Sequence, residues 1–155
     1  MGVKISVGSV TRPNNATPYT EGDVVGATVG DAMEFSTEQF GRIRGALLID
    51  SIAAVTRPSL DLMLFENEPT IAADNDAFAI TDAQMLDCAA VISFDGTSGA
   101  NFKLGGANGV IQQQALDIPY CTPDKKLYGV LVARNAYTPT ALEVFTVKLL
   151  TEQGA

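Results

Sequence analysis

The sequence predicts an all-β protein, a single antiparallel β-sandwich or barrel spanning residues 1–155 with at most one short helix. Three observations predict it. About eight to ten short apolar or alternating runs recur along the chain, separated by clusters of Gly, Pro, Asn and Asp. The run 60–65, Leu-Asp-Leu-Met-Leu-Phe, puts Leu60, Leu62 and Leu64 on one face of a strand. The run 127–134 is apolar on both faces, as a central strand is.

The elements follow in order. Residues 3–7 read as a short strand. Residues 11–23 read as an extended polar arm, because Pro13 and Pro18, with Asn14 and Asn15, exclude a helix. Within residues 1–23, Tyr19 is the large side chain able to pin that arm to the body. Val24 and Val25 begin a short strand, and 31–42 reads as an irregular connection or another. Residues 43–55 are the longest apolar run. Gly45, the β-branched residues and the Thr56-Arg57-Pro58 turn favour a strand over a helix, hairpinned onto 60–65. Pro69 ends that strand, and the acidic segment after it is expected at the surface. Thr81 with Gln84 forms a capping box for one or two helical turns through Cys88. Strands are then expected at 91–94, 101–104, 110–118, 127–134 and 142–150, with turns at 95–99 and 105–109. In the last strand Phe145, Val147 and Leu149 share a face, and Glu143 and Lys148 point away from it.

A chain of 155 residues buries enough surface to fold without metal or disulfide. Charged residues are 18% of the chain, fewer than usual, which hints at contact surfaces. The net charge of −8 argues against a nucleic-acid-facing surface. Residues 1–7 lack the apolar run of a signal peptide, and no window is apolar enough for a membrane span. Cys88 and Cys121 are not spaced as metal ligands and read as reduced, mostly buried thiols.

There is no histidine, so the commonest general base and metal ligand is missing. The carboxylates Glu66, Glu68, Asp74, Asp76, Asp82 and Asp87 could supply a glycosidase-like pair, but the favoured reading of them is an acidic solvated loop. Asp74-Asn75-Asp76 lacks the spacing of a calcium loop. Neither catalytic residues nor cofactors are expected. Arg12 and Arg57 each precede a proline. They are ordinary surface arginines, or the arm binds a partner through Arg12, Pro13, Thr17 and Tyr19 by adding to another subunit's sheet.

Thr11-Arg12-Pro13, Thr17-x-Tyr19 and Asp23-Val24-Val25-Gly26 resemble the opening of a family of small virion structural proteins of tailed phages and prophages. Leu60-x-Leu62-x-Leu64-Phe65, Pro69-Thr70 and Asp74-Asn75-x-x-Phe78 resemble its middle, and Leu127-Tyr128-Gly129 with Tyr137-Thr138-Pro139 its end. The resemblance implies a capsid cement or decoration protein with a jelly-roll-like β-sandwich. It implies a homodimer or homotrimer, made in the bacterial host cytoplasm and seated on the major capsid protein at the virion surface. Removal of residues 1–20 is then expected to weaken attachment and leave the domain folded. A carbohydrate- or receptor-binding module is the other reading. It calls for exposed aromatics over a groove, and the chain has no Trp.

Overall fold

A computed structural model describes residues 2–52, 58–96, 102–105, 108–113 and 115–154. Arg57 and most of the turns expected at 56–58, 95–99 and 105–109 lie outside the described residues. In chain order the elements are β1 (Val3–Thr11), β2 (Val24–Val25), β3 (Met33–Ser36), β4 (Phe40–Asp50), β5 (Leu60–Phe65), α1 (Asp82–Met85), β6 (Cys88–Phe94), β7 (Phe102–Gly105), β8 (Asn108–Gln113), β9 (Ile118–Cys121), β10 (Lys126–Ala133) and β11 (Val144–Gln153).

The strands form two antiparallel sheets. The first runs β1-β11-β4-β8-β7, with β9 alongside β4. The second runs β2-β10-β5-β6, with β3 alongside β10. The pairs are nested: β1 with β11, then β2 and β3 with β10, then β4 with β8 and β9, then β5 with β6. A long hairpin wound over two sheets in this way is a jelly-roll sandwich.

The core between the sheets takes Leu60, Leu62 and Leu64 from β5 and Phe145, Val147 and Leu149 from β11, all 0% exposed. Burying each such side chain stabilises the fold by about 1.5–3 kcal/mol. A second apolar layer lies on the outer side of the second sheet. There Val24, Phe65, Tyr128, Val130 and Val132 are covered by Ile71, Ala72, Phe78 and Ile80. This double coverage is why β10 is apolar on both faces. The covering segment passes so close to Gly30 that a Cβ there would sit 2.2 Å from the Ile71 carbonyl oxygen.

The structure corrects several expectations. Residues 43–50 of the 43–55 run do form part of a strand, and 53–55 lie outside the described residues, but β4 and β5 lie in different sheets instead of pairing as a hairpin. The 110–118 run is two strands, and Pro119 sits inside β9 opposite Arg42. Thr81 caps α1 by accepting from the Gln84 amide, but the Gln84 side chain turns to Thr70 Oγ1, and Cys88 already belongs to β6. The acidic segment is not wholly at the surface, since it covers the second sheet and the Asp74 side chain is only 3% exposed. Glu143 does not point to solvent but is 1% exposed. The first strand is nine residues long and pairs with β11 along its whole length. Removing residues 1–20 therefore strips a strand and Arg12 and Tyr19 from the body, and the expectation that the rest stays folded does not survive.

Candidate functional site

Two features stand apart from ordinary core: a buried polar belt under the arm, and the bare outer face of the first sheet.

The belt begins at Arg12, 1% exposed. Its Nε donates to the Tyr19 hydroxyl, and its Nη1 donates to the carbonyls of Thr140 at 3.0 Å and Asn15 at 3.2 Å. Its Nη2 reaches Asp74 Oδ2 at 3.3 Å. The Tyr19 hydroxyl donates to Asp74 Oδ1, which also accepts the Gly26 amide at 3.0 Å. An ion pair this deep holds because the remaining donors and acceptors are also satisfied. The Tyr19 ring lies parallel to that of Tyr137, with centroids 6.5 Å apart, and the two backbones form a β-bridge. Burial first, and the adjacent Asp74 second, raise the Tyr19 hydroxyl far above its usual range, so it stays a donor.

Beyond Tyr137 the belt continues into a pair of carboxyl groups. Glu143 accepts from the Tyr137 hydroxyl at 2.7 Å and from the Thr140 amide at 3.0 Å. Its other neighbour is Asp50, 5% exposed, at the end of β4. Burial, then the hydrogen bond with Glu143 and its charge, push Asp50 up to about 8. Two carboxyl groups this close cannot both ionise cheaply, so Asp50 keeps its proton and donates it to Glu143.

Of the residues expected to bind a partner, the structure brings Arg12 and Tyr19 into this belt, facing inward. Pro13 is half-buried and its carbonyl accepts the amides of Asn15 and Leu142. Thr17 is exposed. The arm is thus docked on its own body, with Tyr19 pinning it as its size suggests, and the Arg12 guanidinium is not an outward-facing group. Among the carboxylates, Asp74 is paired with Arg12 and Glu66 accepts the Cys121 amide at 2.9 Å. No group of three or more His, Cys, Asp or Glu is placed to hold a metal among the described residues. Cys88 and Cys121 are both free thiols, the first half-buried and the second exposed, where burial of both was expected. Asp50 and Glu143 escaped sequence reading because they are 93 residues apart and each sits among apolar neighbours.

The outer face of the first sheet is built by strand alternation. On β1, Val3, Ile5 and Val7 point outward and are 70%, 65% and 54% exposed. The register sets Val7 beside Lys148, Leu47 and Gln112 across the sheet, and Ile5 beside Leu150 and Gly45. Gly45 has no side chain, and the result is a shallow apolar depression of about 350 Å³. Arg44 and Lys148 supply its charge, on a protein whose net charge is −8. None of the described residues that line it is aromatic.

No family model matches the chain, and no curated protein matches it. Among solved structures it is similar to the cyanophage Pam1 capsid asymmetric unit, at 13% identity and a TM-score of 0.42. That match covers 98% of this chain and 86% of the other. So distant a likeness shows neither a family nor a role. No helix among the described residues is long and apolar enough to cross a membrane.

Proposed function

We propose that this protein is a non-enzymatic capsid cement protein that binds the major capsid protein shell of a tailed phage and holds neighbouring subunits together. The observation that carries the reading is the outer face of the first sheet. It exposes Val3, Ile5 and Val7 beside an apolar depression, a surface fit for a protein neighbour. The residues that resemble phage virion proteins, and the jelly-roll order of the strands, agree with it. A ligand that binds only the assembled shell stabilises the shell by mass action. The carbohydrate-binding alternative has weaker support: it needs aromatic platforms, Tyr19, Tyr120, Tyr128 and Tyr137 are at most 5% exposed, and Phe40 at 48% is a single exposed ring among the described residues.

The test is co-sedimentation of the purified chain with empty heads of the phage that encodes it, together with the temperature at which those heads come apart. The chain should pellet with the heads and raise that temperature. Leu47→Glu, in the floor of the depression, should abolish both effects while the variant stays folded by circular dichroism. Failure of the wild type to pellet with the heads would refute the proposal.

A further inference from the structure

We infer that the free edge of β1 is a self-association seam, on which a second copy of this chain adds its own β1 antiparallel across a two-fold axis at Val7. This goes beyond capsid binding and does not depend on it.

The argument starts from the ladder. Among the described residues β1 lies at the end of its sheet and pairs only with β11. Arg12 donates its amide to Glu143, and Gln153 donates to the Gly2 carbonyl, so the even-numbered residues of this strand bond to β11. In an antiparallel pair the residues between them turn both backbone groups the other way. Val3, Ile5, Val7, Ser9 and Thr11 therefore present their N–H and C=O groups to the open edge. Edges of this length are ordinarily blunted by proline, bulges or several charges. β1 has no proline, its register with β11 is unbroken from residue 3 to residue 11, and Lys4 is its one charged residue.

The occupant follows from symmetry and charge. The strand runs from Val3 to Thr11, so its midpoint is Val7, which is one of the edge-facing residues. A two-fold there lays all nine residues against their copies. It pairs Val7 with Val7, Ile5 with Ser9 and Val3 with Thr11, each edge-facing residue meeting another. Such an isologous contact closes after two copies. Lys4 falls opposite Val10, so no like charges meet on the strands. A second copy carries the same net charge of −8, and this nearly uncharged edge lets two such chains approach. The joined sheets also double the apolar outer face.

Sedimentation of the full chain over about 1–500 µM, without capsids, tests the seam. The wild type should pass from a 16.3 kDa monomer to a dimer. Val7→Lys and Val7→Glu, at a side chain already 54% exposed, should each remain folded monomers. Mixed one to one they should dimerise again, because Lys then faces Glu across the axis. Amide exchange at Val3, Ile5, Val7, Ser9 and Thr11 should slow as concentration rises. A wild type that stays monomeric, forms a trimer, or dimerises unchanged in either variant overturns the seam. Loss of the dimer in both variants without recovery on mixing overturns the register. Val7 also lies on the face proposed to meet the capsid, so Leu47→Glu on β4 separates the two readings: it should still dimerise through β1 while failing to pellet with heads.

Discussion

Asp50→Asn should remove most of the pH dependence of stability between about pH 5 and pH 8. In the folded protein Asp50 holds its proton up to about 8, against an ordinary value of 3.8. Between those values the native state carries one proton more than the unfolded chain. A group raised in this way lends its full stability at acid pH and loses it as pH climbs toward the folded value. The slope is about 1.4 kcal/mol per pH unit, so the wild type should lose roughly 2.7 kcal/mol from pH 5 to pH 7. With a urea dependence of about 2 kcal/mol per molar, the unfolding midpoint should fall by roughly 1.4 M over that range. The window is unusually clean, because the chain has no histidine to titrate in it. Asp124, whose carboxyl is lowered chiefly by the Tyr128 hydroxyl, responds only at more acid pH. An asparagine amide at position 50 can still donate to Glu143 but has no proton to lose, so the variant's midpoint should stay nearly level. Urea melts at pH 5, 6, 7 and 8 measure this. A wild type that is flat across the window, or a variant with the wild-type slope, would refute the assignment of the proton to the Asp50–Glu143 pair.

Two further outcomes follow from the same belt and from the thiols. Arg12→Ala leaves Asp74 buried without its cation and should lower unfolding stability by about 3–5 kcal/mol. Arg12→Met with Asp74→Leu should recover a measurable part of that loss, and urea melts that show no recovery would place the damage elsewhere. With an aromatic disulfide reagent at pH 8, exposed Cys121 should react at least about tenfold faster than Cys88, whose thiol is raised by burial. Cys121→Ser should delete the fast phase, and two equal rates would contradict the burial difference.

Much of the fold was legible because strand alternation writes burial directly into the chain. Leu60, Leu62 and Leu64 in β5, and Phe145, Val147 and Leu149 in β11, were assigned to buried faces by spacing alone, and all are 0% exposed. The two-sided apolarity of β10 marked a central strand, and Thr81 marked the start of α1. What failed was partnership. The 43–55 run looked like one arm of a hairpin because its neighbour in sequence is a strand. Yet β4 pairs with β8, β9 and β11, and β5 pairs with β6 and β10. The hydrophobic period tells a strand which side is dry, and says nothing about which distant strand lies beside it.

The same division separates the two halves of the polar belt. Arg12, Tyr19 and Tyr137 drew attention as residues, but their direction did not show. An arginine before a proline in a polar arm reads as a surface group until Asp74, from 62 residues away, closes over it. Asp50 and Glu143 carry no sequence signal that they are neighbours, and only the folded chain excludes water from both. By itself, then, the amino-acid sequence determined the strand content and the inward face of most strands, because these depend on the local period-two geometry of the backbone; β1 is the exception, with Ser6 buried and Val3, Ile5 and Val7 exposed. Only the tertiary structure decided which strands are neighbours, which acids lose their water, and which edge stays open, because those depend on contacts between residues far apart along the chain.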